Sequence, residues 1–93
     1  MASSTLFLLP LRLPAPPRRL EAWLRPGDQL LLLEDGVYNL ALSLPEGVKG
    51  FALAADCTAR GVESPWPTVN DAAFVELAAS ADRVVTLTPS LLA

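Results

Sequence analysis

The pattern of hydrophobic and polar positions predicts strands that alternate with short helices. Two apolar runs without alternation, Thr5–Leu9 (TLFLL) and Gln29–Glu34 (QLLLLE), are typical of strands covered on both faces of a parallel sheet. Two further strands are predicted at Lys49–Ala54 (KGFALA) and Arg83–Leu87 (RVVTL). Because helical segments separate these runs, the sequence predicts one α/β domain over residues 1–93. It has a mainly parallel sheet of four to five strands flanked by short helices.

Two helices are predicted in the first half of the chain. A helix is predicted over Arg18–Leu24, and its apolar face consists of Leu20, Trp23 and Leu24. A second helix is predicted over Val37–Ser43, with Asp35 as its amino cap. The residues of this helix that we expect to face the sheet are Val37, Leu40 and Ala41.

Two further helices are predicted in the second half of the chain. Asp56 is a suitable amino cap for a helical turn over Cys57–Arg60, and Gly61 suits the end of that turn. Asn70 or Asp71 caps a last helix. The residues of this helix that we expect to point inward are Phe74, Leu77 and Ala78. All of these helices are short, so the layer covering the sheet is thin and leaves apolar surface for a partner.

Composition narrows the class of protein. With 52% hydrophobic and 18% charged residues among 93, the chain is apolar for its size. We expect both a sheet covered on its two faces and coverage of part of the surface by another subunit. The net charge of −3 argues against direct nucleic-acid binding, which needs a clustered basic face. A single cysteine, Cys57, fits a reducing compartment. With one cysteine and no histidine, a structural zinc site is not expected, and no metal residue is assigned. No cofactor is expected either.

The amino terminus does not read as a targeting or membrane segment. Met1–Pro17 is apolar, but its start lacks positive charge, and Arg12 and several prolines interrupt it. No window approaches the roughly 20 apolar residues that span a bilayer. We therefore expect no membrane association and a cytoplasmic location.

Three spaced blocks of the sequence resemble the TusB/DsrH family of DsrE-like sulfur-relay proteins. The blocks are D-x-LLLL-x-DGV from Asp28, FAL-x-x-D-x-x-ARG from Phe51, and F-V-x-L from Phe74 in an acid-capped helix. The matching residues include Asp35, Gly36, Val37, Asp56, Arg60 and Gly61. The resemblance implies a DsrE-like fold with a flavodoxin-like order of strands.

The resemblance also implies partners. It implies assembly with related DsrE-like subunits, of the TusC and TusD or the DsrE and DsrF type, in a hetero-oligomer that hands persulfide sulfur onward. The sulfur serves 2-thiolation of the tRNA wobble uridine in one branch and dissimilatory sulfur oxidation in the other. The acceptor cysteine is usually credited to the D- or E-type subunit. Some relatives carry a cysteine in the loop after the first strand, but Pro10–Pro17 has none.

Cys57 is the one candidate sulfur carrier, and two interpretations of it stay open. It follows Asp56 near a helix start, where the helix dipole favours the thiolate that a persulfide site needs. Against this, unpaired cysteines commonly pack in cores, and an adjacent carboxylate raises the pKa of a thiol. We favour packing, so no catalytic residue is assigned.

Other candidate residues also have a structural interpretation beside the functional one. Asp35 and Gly36 could line a ligand or partner site at the strand end, but a cap and a turn glycine are favoured. Asp56 and Arg60 lie four residues apart, which permits an ion pair across one helical turn. Trp66, between two prolines, is either a partner contact or a lid over the thin core.

Three functions follow from these observations. The favoured one is a non-catalytic structural subunit of a sulfur-relay complex that supports tRNA thiolation. The alternatives are a sulfurtransferase subunit with persulfide on Cys57 and a small ligand-binding or regulatory domain that uses Asp35 and Gly36.

Arg18 and Arg19 are most simply a solvated helix start. Because cations there oppose the helix dipole, they also hint at an acidic partner surface.

Overall fold

Five parallel strands form the centre of the molecule. The computed structural model describes residues 4–13 and 18–92, with the backbone alone for two arginines at the start of the first helix. The strands are β1 (Thr5–Leu9), β2 (Gln29–Leu32), β3 (Lys49–Leu53), β4 (Thr68–Val69) and β5 (Arg83–Thr86). Their order is β4-β3-β2-β1-β5, and every neighbouring pair is parallel. The predicted parallel α/β sheet is therefore confirmed.

Short helices connect these strands. They are α1 (Arg18–Trp23), α2 (Ala54–Arg60), α3 (Asp71–Ser80) and α4 (Pro89–Leu92), with a 3-10 helix over Glu34–Tyr38. β1 lies between β2 and β5. The flavodoxin order 2-1-3-4-5 instead places the first strand between the second and third. The strand order that the resemblance implied is thus wrong, because here β2, β3 and β4 are added successively on one side of β1.

The two faces of the sheet are covered unequally, and handedness explains why. The steps from β1 to β4 all run in one direction, whereas the step to β5 returns across the sheet. Right-handed crossovers then place α3 on the opposite face from the earlier connections. The first face packs under α1 and α2 and carries a core of buried residues that includes Leu9, Leu20, Leu30, Leu32, Val37 and Ala52. The second face packs under α3 around Leu6, Leu31 and Leu53.

The predicted helix over Val37–Ser43 is wrong. A 3-10 helix begins earlier, at Glu34, and the residue at its amino cap is Leu33, with no side-chain hydrogen bond. Asp35 is inside this helix rather than its cap. Of the residues expected to face the sheet, Val37 is fully buried, whereas Leu40 and Ala41 are exposed. The helix ends before Asn39, whose side chain donates hydrogen bonds to the carbonyls of Gly36 and Leu11. Such side-chain bonds to the backbone compete with a further helical turn.

The second half of the chain follows the predicted pattern more closely. α2 begins at Ala54, so Asp56 lies in its first turn and is not the cap. Gly61 ends α2 in a left-handed conformation (φ 63°), as expected. Asn70 caps α3, since its side chain accepts a hydrogen bond from the amide of Ala73. The two elements that the pattern misses are β4, which has two residues, and α4.

Candidate functional site at the carboxyl edge of the sheet

The loops that follow β1, β2 and β3 meet at the carboxyl edge of the sheet. This is the edge at which parallel α/β sheets usually carry their sites. The 3-10 helix after β2 contacts both β3 and α2, so the two most distinctive sequence blocks lie against each other. Five of the predicted site residues therefore come together there: Asp35, Gly36, Val37, Asp56 and Arg60.

Gly36 is at this edge because nothing larger fits. A Cβ atom built on Gly36 would overlap the carbonyl oxygen of Leu9 at the end of β1. The same oxygen accepts a hydrogen bond from the amide of Leu33, at 3.3 Å. The backbone after β2 therefore lies directly against the end of β1, and Gly36 is the residue that permits this approach.

Asn39 holds the loop after β1, a role that the pattern of the sequence does not predict. Its buried side chain accepts a hydrogen bond from the amide of Leu13 at 2.8 Å and donates one to the carbonyl of Leu11 at 2.7 Å. A third bond, of 2.9 Å, joins it to the carbonyl of Gly36. The only sequence signal for this role is an amide residue in the mainly apolar stretch VYNLAL.

Arg60 connects α2 to the 3-10 helix. Its Nε lies 3.1 Å from Oδ1 of Asp35, and its Nη1 lies 3.3 Å from Oδ1 of Asp56. The predicted pair of Asp56 and Arg60 thus forms, but Arg60 is shared with Asp35. The hydrogen bond to Asp35, helped by the nearby negative charges, raises the pKa of the Arg60 guanidinium. The other carboxylate oxygen of Asp56 accepts a hydrogen bond of 2.7 Å from the amide of Glu34.

The backbone at Glu34 adopts an unusual conformation at the start of the 3-10 helix. Glu34 has a φ of 51°, the left-handed region that residues other than glycine seldom adopt. Asp56 holds the amide of Glu34 from across the edge and supports this turn. The polar groups of Asp56 and Arg60 are therefore already engaged in positioning the loops. Their arrangement is that of a brace between α2 and the strand end.

Cys57 is buried among the core residues of the first face. Burial raises the pKa of its thiol, and the charge of Asp56 raises it further. Both effects disfavour the thiolate that accepts sulfur. Among residues 4–13 and 18–92, no three His, Cys, Asp or Glu residues are grouped so that they could hold a metal ion.

The remaining candidates lie away from this edge. The indole of Trp66 lies over Gly50 of β3, where an added Cβ would approach ring atoms at 2.5 Å. It is half-buried and packs against the core of the first face, the placement expected of a lid. The side chains of Arg18 and Arg19 lie outside the described residues. No described helix is long and apolar enough to cross a membrane.

Comparisons with known proteins identify the family. The family described as DsrH like protein matches residues 18–84. Among solved structures, the chain is similar to protein Tm0979 from Thermotoga maritima, determined by NMR in solution, with a TM-score of 0.64 and 25% identity. That similarity covers 78% of this chain and 88% of Tm0979. No curated protein matches. Because the family match spans most of the chain, this protein belongs to the DsrH-like family.

Proposed function

We propose that this chain is a non-catalytic structural subunit of a cytoplasmic sulfur-relay complex. Membership of the DsrH-like family indicates a sulfur-relay role. Within that role, we propose that the complex supports persulfide transfer for 2-thiolation of the tRNA wobble uridine. Its partners would be related DsrE-like subunits of the TusC and TusD or the DsrE and DsrF type. We expect a partner subunit to carry the reacting cysteine.

The observation that carries this proposal is the position of Cys57, the only cysteine in the chain. A persulfide carrier must meet the donor and acceptor thiols of other proteins, and so it must reach the surface as a thiolate. Cys57 is only 5% exposed and has a raised pKa. The described part of the loop after β1, where some relatives carry a cysteine, contains Leu11, Arg12 and Leu13 instead.

The thin cover of the second face supports a partner subunit. A sheet of five strands is about 19 Å wide, whereas one helix covers a strip of about 10 Å. α3 is the described helix on this face, and none of its residues is buried. Val84 of β5 is 44% exposed there, and Val75 of α3 is 64% exposed. We propose this surface for contact with a related subunit, because apolar area of this kind favours burial at an interface.

Coexpression with the products of the neighbouring genes, followed by mass measurement of the intact complex, tests the proposal. We expect a hetero-oligomer with two related subunits. Cys57→Ser should leave both assembly and persulfide transfer to the acceptor intact. Normal assembly with a large loss of transfer would show instead that Cys57 carries persulfide. A monomer with no affinity for related subunits would contradict the structural role.

A pair of matched variants tests the proposed surface. Val84→Asp places a charge on the second face, and Leu40→Asp places one at a residue of similar exposure, 47%, outside it. We expect Val84→Asp to prevent recovery of the complex and Leu40→Asp to preserve it.

Loss of wobble-uridine 2-thiolation on deletion of the gene would support the tRNA branch, and unchanged thiolation would contradict it.

A further inference from the structure

An open cavity of about 320 Å³ lies at the amino edge of the sheet, opposite the edge described above. Its lining includes the first residues of β1 and β5, Thr5 and Arg83, together with the end of α1. The cavity exists because the helices of the first face are short. α1 ends at Trp23, and α4 follows the far end of β5, so neither helix covers the amino end of β5. Its volume is in the lower range of small-molecule sites, which begins at about 300 Å³.

The walls of the cavity offer aromatic surface. Phe7 and Trp23 both line it, and both belong to the packed side chains of the first face. Phe7 is buried and Trp23 is half-buried, so the packing around them holds the rings in place. Flat rings held in this way favour a ligand that is itself planar and apolar over part of its surface.

The charged groups of the cavity favour an anion. Arg25 and Arg83 both line it, and the ion pairs found among the described residues all involve Arg60 instead. The one acidic lining residue, Asp28, is buried and engaged by the backbone. Its Oδ1 accepts a hydrogen bond from the amide of Thr5, and its Oδ2 accepts one from the amide of Arg25, each at 3.0 Å. Both carboxylate oxygens of Asp28 are thus already engaged, and two guanidinium groups against this one carboxylate leave the lining with a net positive charge.

We propose that this cavity binds a small organic anion with a planar apolar ring, of the aromatic carboxylate class. The ring lies against Trp23 and Phe7, and the carboxylate pairs with Arg25 and Arg83. Guanidinium groups suit this role because their planar donors match the two oxygens of a carboxylate. The site is at the opposite edge from Asp35 and Arg60, and it depends on no step of sulfur relay.

Titration with benzoate, followed by amide NMR spectra of the full chain, tests the proposal. We expect saturable shifts at the amides of Thr5, Arg25 and Arg83, and little change at Asp35 and Arg60. Two controls separate ring from charge: acetate lacks the ring, and benzamide lacks the charge. Both should bind more weakly than benzoate by about tenfold or more. Equal binding of benzamide, or the absence of saturable benzoate shifts, would overturn the proposal.

Matched variants locate the charge dependence. Arg25→Gln and Arg83→Gln should each weaken benzoate binding by about tenfold, because each removes a charged hydrogen-bond donor. Arg12→Gln is the control, because Arg12 lies over the Tyr38 ring, 5.6 Å from its centroid, at the other edge. Both cavity arginines are exposed, so the variants should keep the spectrum of the folded chain. Unchanged affinity in a folded double variant would overturn the proposal.

Discussion

Nε of Arg60 lies 3.1 Å from Oδ1 of Asp35, and this contact joins two sequence blocks that are separated along the chain. Asp56 completes the brace, but the two acids are placed differently. The side chain of Asp35 is 64% exposed, whereas that of Asp56 is 22% exposed and also accepts the amide of Glu34. Exposed ion pairs are screened by water and salt. Asp56 should therefore matter more to stability than Asp35.

We predict that Asp56→Ala lowers the free energy of unfolding by about 1–2 kcal/mol, because the amide of Glu34 loses its acceptor. Asp35→Ala should change it little, and that small change should vanish at high salt. Urea denaturation of both variants at low and high salt measures the difference. Equal losses from the two substitutions would show that the ion pair to Arg60, and not the bond to Glu34, dominates.

Gly36→Ala should be among the most destabilising single-methyl additions in this chain. The new Cβ overlaps the backbone oxygen of Leu9, which cannot rotate away as a side chain would. We expect a loss of about 3 kcal/mol, at the upper end of overpacking costs. Gly61→Ala is the control, because a Cβ there meets open space and only the φ of 63° opposes it. That strain costs about 1 kcal/mol. A thermal or urea unfolding series that ranked Gly61 above Gly36 would contradict the close approach.

Asn39→Ala should loosen the loop after β1. It leaves the amide of Leu13 and the carbonyls of Leu11 and Gly36 without their side-chain partner. We expect a loss of about 3 kcal/mol and faster hydrogen exchange at the amide of Leu13. Asn70→Ala, which removes only an exposed helix cap, should cost about 1 kcal/mol and leave Leu13 protected. Unchanged exchange at Leu13 in Asn39→Ala would show that the loop is held by other contacts.

The strands could be predicted because buried strands consist of continuous runs of apolar residues. Runs such as TLFLL and QLLL place apolar side chains on both faces, which is typical of a parallel sheet covered on both sides. Gly61 and Asn70 could also be predicted, because each satisfies helix-end groups by a local rule. These features depend on residues that are close together along the chain.

The features that could not be predicted depend on contacts between distant residues. The 3-10 helix is set by Gly36 against Leu9 and by the bonds of Asn39 to the loop after β1. Periodicity alone favours an α-helix over Val37–Ser43. Likewise, the local sequence predicts that Asp56 is a helix cap. In the fold, Asp56 instead accepts a hydrogen bond from the amide of Glu34, which is distant along the chain. Most residues of the candidate site could be named from the sequence, but Asn39 could not. The pair of Asp56 and Arg60 could be predicted from its spacing. The contacts of Arg60 with Asp35 and of Asp56 with the amide of Glu34 could not.

The thiol of Cys57 supplies a prediction that depends on pH. Because burial and the charge of Asp56 raise its pKa in the folded state, the folded chain holds the thiol proton more tightly than the unfolded chain. This contribution to stability is fully present below the unfolded pKa of the thiol and is lost as the pH rises through the folded pKa. The free energy of unfolding of the natural chain should therefore fall at alkaline pH relative to Cys57→Ala.

Alkylation of Cys57 measures the same effect directly. Iodoacetamide should label the native chain at least roughly tenfold more slowly than the urea-unfolded chain, since the thiolate is the reacting form. The midpoint of the rate against pH should lie higher in the native chain. Asp56→Asn should lower that midpoint only in part, because burial is the larger cause. Fast labelling of the native chain near neutral pH would mean that Cys57 reaches solvent as a thiolate, which is the property that a persulfide carrier needs.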